Sequence, residues 1–208
     1  MKQLLLLTGP QGAGNHLWSK IFSLHPEVYG WKTLLENYWE AHRFAEPFCN
    51  HWKDHSLLDT FDWSQSNFYF TSISCPLGIQ EHKWMPDIAG FTHAVEQQGV
   101  SVQIVVCGRD QTILENQQIR LRSEHTFPLF MEQLPTFKQP TFLSYELLHL
   151  YKEQYLQSLN LNIPIAYNNN CIHDILKDDS NKKYIHYVDN YILDQCNKTG
   201  IPLKELPK

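Results

Sequence analysis

The chain has 208 residues, 42% of them hydrophobic and 13% aromatic, which suits one packed α/β domain over residues 1–208 and excludes wholesale disorder. A formal net charge of −5 leaves no global basic field for a nucleic-acid backbone, while a local basic pocket for a small anion is still permitted. No stretch approaches the length of a membrane span, so no membrane partner is expected.

The N-terminus reads MKQLLLLTGP, and its apolar run over 4–7 is far shorter than a signal-peptide core. Cys49, Cys75, Cys107, Cys171 and Cys196 are scattered, odd in number and form no CxxC pair. A cytoplasmic protein with reduced thiols is the expectation.

Residues 4–8 are a short apolar run ending in a Gly-Pro turn signal, which predicts a buried strand. Leu17, Ile21, Phe22 and Leu24 then recur at helical spacing, predicting a helix from about 14 to 24 that stops near His25-Pro26. Residues 33–44 look helical, and 48–66 carry no clear pattern. Alternation of aromatic and small residues predicts a strand over 67–73. A helix is predicted over 86–98, with Pro86 early and Gly99 just past the end. The β-branched run 100–107 predicts a second buried strand, followed by a polar helix from 111 to about 122. Residues 140–145 suit a third strand, and Leu147, Leu148, Tyr151, Tyr155 and Leu159 mark an amphipathic helix. Tyr184, Ile185, Val188, Tyr191 and Ile192 mark a last helix, capped by Asp179 or Ser180 and ended by Gly200 and Pro202.

Strands separated by helices predict βαβ units: a three-layer α/β fold with a parallel central sheet and helices on both faces. In such sheets ligands bind beyond the carboxyl ends of the strands. The loop at 9–16 and the segment Gly108-Arg109-Asp110 both lie at such ends, so two anion contacts are expected on one rim.

The loop reads Thr8-Gly9-Pro10-Gln11-Gly12-Ala13-Gly14-Asn15-His16. Three glycines between a strand and a helix let backbone N–H groups turn inward, and the helix start adds partial positive charge. A phosphate or sulfate is well placed there. The pattern GxxxxGK[ST] is half present: Gly9 and Gly14 fit, but Asn15 replaces the lysine and His16 the hydroxyl residue. That disfavours ordinary ATP chemistry of the kinase type. A tight turn without ligand is the plain alternative.

Three blocks, in order, are similar to the sulfotransferases that use 3′-phosphoadenosine 5′-phosphosulfate (PAPS). GPQGAGNHLWSKIFSLHPEV (9–28) resembles the phosphosulfate loop and helix, its HPEV ending resembling the tyrosylprotein and carbohydrate branch. VQIVVCGRDQTILENQQIRLR (102–122) resembles the strand, RD pair and helix that hold the 3′-phosphate. FLSYELLHLYKEQYLQSLNLNIP (142–164) resembles a later block of that family, and together the three cover about a third of the chain.

The resemblance implies a P-loop NTPase-like, sulfotransferase-like fold and transfer of a sulfuryl group from PAPS to a hydroxyl or amine. The acceptor would be a small molecule, carbohydrate or peptide, and no metal is needed. The backbone of Gly9, Pro10, Gln11, Gly12, Ala13, Gly14, Asn15 and His16 would cradle the 5′-phosphosulfate, and Arg109 the 3′-phosphate. Two departures stand out. Gly12 occupies the place of the usual loop cation, with His16 or Lys20 as substitutes. Gln117, with Asn116 beside it, stands where a 3′-phosphate serine is expected. No carboxylate follows HPEV until Glu36, the candidate base. Lys182 and Lys183 are candidates for late 3′-phosphate contacts. A catalytically degenerate nucleotide or anion binder of the same fold, and a P-loop kinase-like enzyme, are the alternatives.

Cys49, His51 and His55 match no zinc spacing and read as a polar loop. The Trp and Tyr residues between Trp31 and Trp84 read as core or as lining of an acceptor pocket. Acceptor and oligomeric state are not legible.

Overall fold

A computed structural model describes residues 1–36, 42–79, 82–122, 124–167, 169–177, 181, 193–194 and 197–198. The helix predicted over 184–192, its caps at 179–180, its end at Gly200 and Pro202, and the lysines at 182 and 183 lie outside them. β1 (Lys2–Gly9) is central to a parallel sheet, between β3 (Phe68–Ser74) and β6 (Val100–Gly108). β2 (Val28–Tyr29) pairs beside β3 and β7 (Thr141–Ser144) beside β6, giving the five-strand order β2-β3-β1-β6-β7.

Alternation along β1 divides the interior into two cores. Leu5 and Leu7 face α1 (Asn15–Ser23), α5 (Gln111–Arg122), α7 (Tyr145–Ser158) and α8 (Asn170–Lys177) through Trp18, Phe22, Leu114, Leu148 and Ile172. Leu4 and Leu6 face α4 (Ile88–Gln97), α6 (Phe127–Gln133) and the segment around Phe48, Trp52 and Trp63. Side chains from successive strand residues point to opposite faces, and both faces are covered, so the four leucines are all fully buried. This is the expected three-layer α/β arrangement.

The strands over 4–8, 67–73, 100–107 and 140–145 and the helices over 14–24, 86–98 and 111–122 are present with ends shifted by a few residues at most. In the predicted helix over 33–44, the described residues include two four-residue helices, α2 (Thr33–Glu36) and α3 (His42–Ala45). α7 carries a non-helical residue at Lys152, with φ 47°. The patternless stretch 48–66 contributes Phe48, Trp52, Leu58 and Trp63 to the core, where Trp52 stacks on Phe91 with ring centroids 3.8 Å apart and Trp63 meets Tyr69 edge-on at 4.9 Å. Trp31, Trp52 and Trp63 are buried, and Trp52 with Trp84 also borders a surface cavity. The hairpin β4 (Leu77–Ile79) and β5 (His82–Trp84), together with α6 and α8, were not predicted. No helix among the described residues is long and apolar enough to cross a membrane.

Candidate functional site

The loop leaves β1 at Gly9 and enters α1 through Gly14, which adopts φ 101°; Gly12 adopts φ 92°. Both angles are left-handed and favour glycine. Both positions are also crowded. A Cβ on Gly14 would lie 2.9 Å from the Tyr145 ring, and one on Gly12 would lie 3.1 Å from Gln117 Oε1. Among the described residues, the amides of Gly12, Gly14 and Asn15 donate to no protein acceptor. These amides stand at the helix N-terminus, where the backbone dipole favours an anion.

Arg109 is the first residue beyond β6 and reaches the loop. Its Nη1 donates to Gly12 O at 3.0 Å and to Gln117 Oε1 at 2.7 Å, and its Nε donates to Asn181 Oδ1 at 2.6 Å. The guanidinium carbon lies 4.7 Å from the centroid of the Tyr145 ring. The expected trio of loop, Arg109 and Gln117 is therefore one connected cluster. Asp110 does not neutralise the arginine in a side-chain pair but caps α5, accepting from Ile113 N at 3.0 Å.

Two loop side chains turn inward. Asn15, which occupies the lysine position of the incomplete motif, donates to Ser74 Oγ at 2.7 Å and accepts from Cys107 Sγ at 2.6 Å. It ties the start of α1 to the ends of β3 and β6, so only its backbone is left for a ligand. Gln11 is buried, and its Oε1 meets Thr126 Oγ1 at 3.4 Å. Neither side chain replaces the absent loop cation.

Gln118, missed by sequence reasoning, holds this part of the loop. Fully buried, it donates from Nε2 to Gln11 O at 2.7 Å, while its Oε1 accepts from Thr126 N at 2.9 Å and Phe127 N at 3.1 Å. One amide thus joins the loop, α5 and the start of α6. Gln118→Leu should destabilise the protein by ~2–4 kcal/mol, because a carbonyl and two amides lose buried partners. Urea denaturation measures this; a loss below about 0.5 kcal/mol would mean that water takes over all three bonds.

His16 packs its ring against Trp31, with centroids 5.3 Å apart, and Lys20 follows one turn later in the last turn of α1. Glu36 ends α2 as an exposed residue.

Two groups that the sequence did not single out lie closer to the rim. β2 pairs only as far as Tyr29 opposite Tyr69, so among the described residues β3 has no strand neighbour on that side at Ser72. Side chains fill the place. Ser72 N donates to Glu46 Oε1 at 3.3 Å, and His42 Nε2 bonds to Ser72 O. Because a carbonyl can only accept, that bond assigns the ring hydrogen to Nε2 and leaves Nδ1 as an acceptor, shielded from solvent and without a hydrogen-bond partner among the described residues. Glu46 also accepts from Thr71 Oγ1 at 2.7 Å and Phe48 N at 2.8 Å. Burial pushes its carboxyl up to about 8, against the pull of these three donors. Burial likewise takes His42 down to about 4, with nearby His16 adding to the shift and the Ser72 carbonyl opposing it.

A cavity of about 750 Å³ is lined by Val28, Tyr29, Lys32, Ala45 and Phe68 at the sheet edge. Its Phe68 side lies ~20 Å along β3 from Ser74, six residues of strand away, so it is not the loop site. The described residues contain no cluster of His, Cys, Asp and Glu able to hold a metal ion, and Cys49 is a free thiol. No protein-family model matches the chain, and no curated protein matches it.

Proposed function

We propose that the loop at 9–16 and Arg109 form the seat of a phosphorylated adenosine of the PAPS type, and that the protein transfers its sulfuryl group to a hydroxyl or amine. The observation that carries this reading is the bond from Arg109 Nη1 to Gly12 O, which joins the glycine loop and a guanidinium at the carboxyl rim of a parallel sheet. In this reading the acceptor oxygen or nitrogen attacks sulfur in line, its proton passes to solvent, and the bond from sulfur to the 5′-phosphate oxygen breaks. The loop amides and the start of α1 hold the charge that builds on the departing phosphate. His16, in the first turn of α1, takes the place of the missing loop cation; Lys20 is set one turn back. The acceptor is a small molecule, carbohydrate or peptide, and free thiols at Cys49, Cys75, Cys107 and Cys171 suit a reducing cytoplasmic setting.

Isothermal titration with adenosine 3′,5′-bisphosphate tests the seat. Saturable binding is expected, and no heat at high micromolar ligand removes the reading. A second reading, a binder without turnover, is favoured by the inward-turned Gln11 and by Glu36 on an exposed helix end. Tight bisphosphate binding with no sulfated product from PAPS across hydroxyl and amine acceptors would select it. Kinase-like chemistry fits less well, because the residue in the lysine position is committed to Ser74 and Cys107.

A further inference from the structure

Arg109 presents its Nε edge to Asn181, not to open space. Asn181 is 5% exposed and bridges two partners: its Oδ1 accepts from Arg109 Nε at 2.6 Å, and its Nδ2 donates to Glu146 Oε1 at 3.0 Å. Glu146 is fixed in turn, accepting from Asp110 N at 2.9 Å through the same oxygen. The chain Arg109–Asn181–Glu146 therefore ends on a carboxylate anchored at the starts of α5 and α7. The Nε side of a guanidinium is one of the edges that grips a phosphate with two parallel bonds. A neutral amide oxygen occupies a donor on that edge.

We propose that Asn181 is an internal stand-in for an anion on Arg109, displaced when a phosphate group binds. The inference rests on the reading of Arg109 as the phosphate contact. Exchange replaces a neutral acceptor by a charged one, which strengthens the bond to the guanidinium. It also releases the Asn181 amide from Glu146. The acidic groups on this side, Glu146 and Asp110, disfavour an incoming anion, and the Arg109 charge and the loop amides favour it. The stand-in keeps the Nε of the half-buried guanidinium bonded in the free protein and sets a threshold that only a multiply charged phosphate overcomes.

The test is titration of the full chain with adenosine 3′,5′-bisphosphate, alongside inorganic phosphate, for wild type, Asn181→Ala and Asn181→Asp. Thermal melts first establish that each variant folds, and Asn181→Ser replaces the alanine variant if it does not. Removing the competitor should tighten bisphosphate binding about tenfold, the worth of one charge-assisted hydrogen bond. Asn181→Asp places a carboxylate on Arg109 and should weaken binding at least tenfold. The Arg109 Nε–H resonance should shift with either ligand, and a gain for phosphate alone places the competition at Arg109 rather than at the nucleoside. Binding by Asn181→Ala and not by wild type also supports the stand-in. Wild-type binding with an equal or weaker alanine variant overturns it, because Asn181 then merely orients the arginine, and the seat itself survives. No binding by any of the three removes seat and stand-in together.

Discussion

Arg109→Ala is expected to weaken adenosine 3′,5′-bisphosphate binding at least 100-fold and, separately, to destabilise the fold by ~2–4 kcal/mol. The binding loss follows from removing a cation that bonds directly to the loop. The stability loss follows from what the guanidinium does in the free protein. It donates to Gly12 O, Gln117 Oε1 and Asn181 Oδ1, and it packs on the Tyr145 ring. Truncation leaves the Gly12 carbonyl and two amide oxygens without that donor and removes one tie between the loop and the end of β6. Arg109→Lys keeps the charge, but one ammonium lacks the planar fork that reaches separate acceptors from Nε and Nη1, so an intermediate loss in both readouts is expected. Calorimetric titration measures the first effect and urea denaturation the second. An alanine variant that binds like wild type would take Arg109 out of the site, whatever its stability.

The parts of this cluster that were legible in sequence share one property: their spacing is local. Leu4–Leu7 and Ile104–Cys107 signal strands because both faces of the sheet are covered there, so no polar alternation interrupts them, while Ser101 and Gln103 alternate with apolar residues at the start of β6. Arg109 and Gln117 are eight residues apart, and a helix starting between them brings the second side chain back beside the first. Gln118 carried no comparable signal. A glutamine in a polar helix reads as solvated, and only the arrival of Gln11 and the start of α6 makes it a buried junction. Tyr145 and Asn181 reach Arg109 from far along the chain, so nothing local marks them. Glu46 went unmarked in the sequence because the decisive fact is tertiary. β2 stops after Tyr29, and the vacant edge at Ser72 recruits His42 and Glu46. A glutamate between Ala45 and the pair Pro47-Phe48 was the available clue, an acid among apolar neighbours.

That vacant edge makes the second large expected effect one of pH. Glu46 is raised from 4.5 to about 8, so between those values the folded protein keeps a proton that the unfolded chain has released. Its contribution is complete below about 4.5 and is lost as pH rises through 8. His42 is lowered from 6.5 to about 4, so between those values the unfolded chain binds a proton that the folded ring refuses. Its contribution is complete above about 6.5 and is lost as pH falls through 4. From 4.5 to 6.5 the two opposite slopes cancel, because each state holds one proton on the pair, on Glu46 when folded and on His42 when unfolded. Single variants expose them. Relative to wild type, Glu46→Gln should gain stability as pH rises from 4.5 to 8, at up to ~1.4 kcal/mol per pH unit. His42→Gln, whose amide nitrogen can still donate to Ser72 O, should lose stability relative to wild type as pH rises from 4 to 6.5. Taking differences removes His51, Asp54 and Asp62, whose pKa values are also lowered and which titrate in all three proteins. Other titratable neighbours are Tyr29 and Cys49 beside Glu46 and His16 beside His42; Tyr29 and Cys49 are raised by burial and charge only above this range. Urea titrations at steps of about one pH unit measure the differences. A Glu46→Gln difference that does not change with pH would show that Glu46 stays ionised in the fold, its charge held by Thr71, Phe48 and Ser72 alone.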